Sequence, residues 1–107
     1  MTTQFKAHWF HILLALADDD LHGHGITRRV LDATDGEVRL WPVTLYSSLD
    51  ELARLEWIRE LTGDEHPAGM SNKRRYFRIT NQGRQALAAE AKRMHALSTR
   101  ALEITDR

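Results

Sequence analysis

The 107-residue sequence has no cysteine, no excess of charge of either sign, and no apolar run near the roughly 20 residues needed to cross a bilayer. Without cysteine there are no disulfides, thiolate zinc sites or thiol nucleophiles. With 15 Lys and Arg against 15 Asp and Glu, only the local distribution of charge carries information about partners. The most apolar stretch, Trp9 to Ala17, is interrupted by His11 and stopped by Asp18-Asp19-Asp20. It has no small-residue cleavage site behind it, so it does not read as a signal sequence, and a cytoplasmic location without membrane contact is expected. Low-complexity segments and internal repeats are also missing. The length suits one domain with a modest core.

The charge that is present is segregated. Through residue 65 the chain carries six Lys and Arg against twelve Asp and Glu; from 66 to 100 it carries eight against Glu90 alone, so a net −6 gives way to +7. The basic tip Lys73-Arg74-Arg75 lies inside a unit from Val38 to Gly83 that reads as a short strand, an amphipathic helix and a hairpin. Such a field implies one surface that meets a polyanion on an otherwise neutral molecule.

Periodicity supplies the elements. Phe5, Trp9, Ile12, Leu13 and Leu16 form one buried stripe of a helix over 4–17, and Phe10, Leu14 and Ala17 form a second on another face. A helix apolar on most of its circumference needs cover on more than one side, and a partner subunit is the simplest cover. Asp19 or Asp20 is expected to cap a second helix that runs through Ile26, Val30 and Leu31 to Asp35-Gly36. A short strand is expected at 37–40, followed by a helix opened by Pro42 with Leu45, Leu49 and Leu52 inward and Ser47, Ser48, Asp50, Glu51 and Arg54 outward. Residues 57–62 and 74–79 read as paired strands, with Ile58, Phe77 and Ile79 facing inward, around a loop with Pro67 and Gly69. Thr80 is placed to cap a last helix reaching Thr105. There Leu87, Met94 and Ala101, and likewise Leu97 and Ile104, recur every seven residues, a coiled-coil seam flawed by Glu90. A helix folded back on its own domain is the alternative to a dimer contact.

The order helix, helix, short strand, helix, hairpin, long helix resembles a PadR-type transcriptional regulator. The resemblance covers about Ile12 to Leu87. It rests on Ile12-Leu13-Leu14-Ala15-Leu16 with Leu21-His22-Gly23-His24-Gly25-Ile26, on Thr44-Leu45-Tyr46 with Leu49 and Leu52, and on Arg74-Arg75-Tyr76-Phe77-Arg78-Ile79-Thr80 with Gly83-Arg84. It implies a mainly α fold with a small β-hairpin (α+β): a winged helix-turn-helix over residues 1–80, with helix 4–17 also in dimer contact, and a C-terminal dimerisation helix over 81–107. Two positions depart from the family pattern. Trp41 stands where a small polar cap usually begins the recognition helix. Glu56 replaces a Gly that normally ends it, so the helix is expected to run on or the turn to change.

The function implied is that of a DNA-binding transcriptional regulator, a repressor acting as a homodimer on a palindromic operator in double-stranded DNA. The recognition helix would present Val43, Thr44, Tyr46, Ser47 and Ser48, none of which reads base edges by paired hydrogen bonds. Positioning would fall to Lys73, Arg74 and Arg75 in the wing, with Arg28 or Arg29 as weaker candidates. Trp9, Leu87, Met94, Leu97, Ala101 and Ile104 would form the dimer interface. The resemblance also brings a candidate pocket for a small aromatic or lipophilic effector at His8, Trp9, Phe10, His11 and Met94, residues that serve equally well as filling of a dimer core. No metal or cofactor is expected, since His8 with His11, or His22 with His24, offers two imidazoles and no further ligand. An enzyme is not expected either, because no Ser/His/Asp spacing, Gly-rich phosphate loop or paired-carboxylate motif stands out. The competing function is a winged-helix protein-interaction module without DNA binding, favoured by the zero net charge and by Asp50 and Glu51 on the third helix.

Overall fold

A computed structural model describes residues 4–67 and 74–107. Its elements are α1 (Ala7–Asp18), β1 (Leu21–His22), α2 (Gly23–Ala33), α3 (Pro42–Arg54), β2 (Ile58–Glu60), a 3-10 turn (Gly63–Glu65), β3 (Tyr76–Ile79) and α4 (Asn81–Thr105). The strands form one antiparallel sheet in the order β1-β3-β2, with Leu21 opposite Phe77 and Ile58 opposite Ile79. Ile12, Leu13 and Leu16 of α1 meet Ile26 of α2, Leu49 and Leu52 of α3, and Ile58 and Phe77 of the sheet in one core, all essentially without solvent contact. Each such side chain contributes about 1.5–3 kcal/mol by leaving water. This is a winged helix-turn-helix with a long C-terminal helix, mainly α with a small sheet. No helix among the described residues is long and apolar enough to cross a membrane.

The sheet departs from expectation at its third strand. Residues 37–40 form no strand with any described residue; β3 instead takes Leu21 and His22, between α1 and α2, along its other edge. Neither Asp19 nor Asp20 caps α2. His22 does so through Nδ1, which accepts from the Gly25 amide at 3.0 Å. The aspartates are drawn into ion pairs, Asp19 with Arg29 and Asp20 with Arg78 on β3. α1 begins at Ala7, three residues later than the expected start at residue 4, and Arg84 of α4 donates to the Ala17 carbonyl at its other end. Ser48, expected outside, is buried within α3.

Glu56 does what its side chain disfavours. Contrary to the expectation that the helix would run on or the turn change, its φ is 64°, in the left-handed region, and α3 ends there, with Trp57 N donating to Leu52 O and Glu56 N to Ala53 O. Those are the two bonds of a Schellman turn. The conformation is held from outside, because Thr80 Oγ1 donates to Glu56 O and Thr80 N to Trp57 O. Thr80 also caps α4 as expected, accepting from Gly83 N at 3.0 Å. A Cβ on Gly83 would lie 2.0 Å from the same Trp57 carbonyl, so this junction of wing and long helix closes only on glycine.

Candidate nucleic-acid interface

Pro42 presets the first turn of α3, and no side chain caps it at Trp41. Val43, 84% exposed, Tyr46, 40% exposed, and Ser47 face solvent, while Thr44 is half-buried. Tyr46 lies over the start of α2, where a Cβ on Gly23 would come within 2.6 Å of its hydroxyl. The absence of a side chain at position 23 therefore sets where this tyrosine stands on the front of α3.

The wing cations divide. Arg75 places Nε and Nη2 at 3.1 and 2.9 Å from Glu60 Oε1. Its guanidinium lies 5.9 Å from the Tyr46 ring centroid and 5.3 Å from that of Phe77. Arg75 thus ties the wing to α3, and Glu60 beside it raises its pKa above the ordinary arginine value. Among the described residues Arg74 meets His22, with Nη1 2.9 Å from Nε2, and has no ion partner. A neutral imidazole has one lone-pair nitrogen, so His22 can cap α2 or accept from Arg74, not both. The cap prevails on physical grounds, because the Gly25 amide has no other acceptor whereas a guanidinium can turn outward to water or an anion. Burial, then Arg74, then His24 lower the His22 pKa, which keeps the capping nitrogen bare. Lys73 lies outside the described residues.

Elsewhere several cations are neutralised: Lys6 by Glu51, Arg29 by Asp19, Arg59 by Glu65, Arg78 by Asp20 and Glu65, Arg93 by Glu90, whereas Arg54, Arg84, Lys92 and Arg107 have no ion partner among the described residues and lie away from α3's front. Glu65, bonded by Arg59 and by the Thr62 amide, is pulled down to a pKa of about 2. Arg28 and Arg39 have no ion partner among the described residues. Both line an open groove of about 830 Å³ between α2 and the start of α3, with Trp41 and Leu40. A second groove, lined by Arg74 and Arg75, shares His24 and Tyr46 with it. The front of α3 is therefore flanked on both sides by arginines. Arg28 was legible in the sequence as a weak candidate, and Arg29 is engaged elsewhere. Arg39 was missed, although an arginine two residues before an unusual Trp-Pro helix start was a usable signal.

The expected dimer residues separate as well. Met94, Leu97 and Ile104 are 41%, 57% and 46% exposed, Ala101 is exposed, and Leu87 is half-buried against the core. Trp9 is 4% exposed, packed between Phe5 and Trp57, which leaves it no surface for a second chain or an effector. His8 is exposed, whereas Phe10 and His11 are half-buried with ring centroids 6.0 Å apart. Among the described residues, no three of His, Asp and Glu gather as a metal site.

An exposed, arginine-flanked helix set beside a wing is the arrangement of winged-helix proteins that bind nucleic acid. Residues 12–89 match the Transcriptional regulator PadR-like family, and the chain belongs to that family, whose members are regulators and not enzymes. An uncharacterized protein X from Lysinibacillus sphaericus is 30% identical over 77 residues, 72% of this chain and 68% of that one. A transcriptional regulator from Clostridium thermocellum has the same fold at a TM-score of 0.72 and 25% identity, covering 89% of this chain and 88% of its own. Bacillus subtilis PadR, solved in complex with operator DNA, superposes at 0.66 with 20% identity, over 80% of this chain and 47% of its own length.

Proposed function

We propose that this PadR-family regulator is a repressor that binds a roughly palindromic operator as a homodimer in the cytoplasm. One observation carries the reading: Arg28, Arg39 and Arg74, arginines without ion partners among the described residues, line the grooves on either side of the exposed front of α3. α3 enters the major groove, and its sister lies about 34–36 Å away, one turn of DNA along. Lys73 and Arg74 of the wing meet phosphates, and Arg75 sets the position of the wing more than it binds. Val43, Thr44, Tyr46 and Ser47 offer thymine-methyl and phosphate contacts but no paired hydrogen bonds to bases, so specificity rests on DNA shape and half-site spacing. A small aromatic or lipophilic effector would sit where Phe10, His11 and, from α4, Met94 approach across the dimer, with His8 at its mouth and Trp9 only as a buried support.

The test is a mobility-shift titration on the DNA upstream of its own gene at several salt concentrations. About three phosphates per half-site give a log-affinity against log-salt slope of roughly −5. Arg74→Glu weakens binding to every sequence alike. A confirmed dimer that binds no DNA at low salt would instead support an interaction module contacting protein through α3 and the hairpin.

A further inference from the structure

Residues 37–41 show strand-like alternation without a sheet. Val38 is half-buried and Leu40 buried, whereas Arg39 and Trp41 are exposed. The segment is pinned at its inward side, since the Val38 amide donates to Thr34 Oγ1 at 3.0 Å and Thr27 Oγ1 lies 3.5 Å from the Leu40 carbonyl. Arg39 and Trp41 therefore project together, with the guanidinium 5.1 Å from the indole centroid. Trp41 is 62% exposed, in contrast to Trp9 in the core, and it occupies a helix-start position where a small polar residue would have capped the first turn. Among the described residues, Arg39 is the one side chain recorded stacked against its ring.

We infer that Arg39 and Trp41 form an additional DNA-contact element at the front of α3: Arg39 binds a backbone phosphate flanking the base pairs that α3 faces, and the indole packs on the adjoining deoxyribose. The inference rests on the DNA-binding reading above. Four observations favour duplex DNA as the occupant. The pair is continuous with the exposed face of α3, Arg39 has no ion partner among the described residues, Arg28 lines the same groove, and Arg74 lines the next. Stacking on the indole holds the guanidinium flat while leaving its N–H edges free for an anion. Asp32 and Asp35 line the groove too and would repel phosphate. Contact is accordingly confined to the lip made by Arg39 and Trp41.

The experiment uses the full chain labelled with 5-fluorotryptophan, whose fluorine spectrum has one resonance for each of the three tryptophans. The exposed Trp41→Phe change assigns the middle member of the set without disturbing the core. On titration with the upstream duplex, the Trp41 resonance should shift or broaden while those of Trp9 and Trp57 hold. Trp41→Ala should weaken binding about tenfold with an unchanged salt slope, and Arg39→Gln should reduce the slope by about one per chain. DNA binding with a stationary Trp41 resonance and full affinity in Trp41→Ala overturns this inference alone. No binding by the wild-type protein overturns the DNA-binding reading and this one with it.

Discussion

The two halves of this chain solve the problem of apolar surface differently. Between Ala7 and Glu90, helices and sheet turn Ile12, Leu13, Ile26, Leu52 and Phe77 toward one another until almost no water reaches them. From Ala91 onward every residue is exposed, including Met94, Leu97, Leu102 and Ile104, although the helix continues without a break to Thr105. A body that covers its own core folds by itself, whereas a helix with a heptad of exposed apolar positions lacks the packing from which helices draw most of their stability. The same holds for Leu14 on α1, 45% exposed on the second apolar stripe of that helix. The body covers its core from within its own chain, and the distal helix keeps its apolar positions bare.

The contrast can be broken at either half. The largest effect is expected from Gly83→Ala, because the new methyl would meet the Trp57 carbonyl, a backbone atom that cannot step aside. A loss of about 3 kcal/mol or more in chemical denaturation is expected, and a loss within about 0.5 kcal/mol would mean that the junction is looser than described. Next comes Leu97→Arg with Ile104→Arg. Sedimentation should report a monomer, the melting of the body should change little, and operator affinity should fall about 100-fold or more as the second half-site is lost. An unchanged oligomeric state would make the distal helix a solvated extension.

The smallest effect sharpens the boundary between the halves. Glu90 is the last buried residue of α4, its carboxylate held by Arg93 at 2.6 and 2.7 Å, and Arg93 keeps its pKa below the ordinary value. A carboxylate depressed in the folded state stabilises above its unfolded pKa, about 4.3, and that contribution is lost as pH falls through the lower folded value. Glu90→Gln should therefore flatten acid unfolding below about pH 4.3 and leave stability at neutral pH only slightly reduced. An acid-unfolding curve identical to wild type would mean that the Arg93 bond persists in the unfolded chain.

Much of the fold was legible because its signals are local. The stripe of Leu45, Leu49 and Leu52, the cap at Thr80 and the inward alternation of Ile58, Phe77 and Ile79 all stand in the structure as periodicity placed them. Misreadings arose where a distant contact overruled a local preference. Residues 37–40 have the alternation of a strand but no neighbouring strand among the described residues, while Leu21-His22 has little strand character and gains a partner in β3. Glu56 holds a left-handed backbone because Thr80, 24 residues away, bonds its carbonyl. Trp9 belongs to the apolar stripe that was read for it, but Phe5 and Trp57 close over it from within the same chain.

What the sequence by itself determined is the four helices and the hairpin, their order, the family, and the place where positive charge accumulates. Those follow from spacing along one chain, since helix and strand periods, caps and turns are set by residues within a few positions of one another. Only the tertiary structure decided which charges remain available. Arg78 is neutralised by Asp20 across 58 positions and Arg75 by Glu60 across 15, and Arg39, beside Trp41, has no ion partner among the described residues. Attraction between charges depends on distance through space, which the fold sets and the count of residues between them does not.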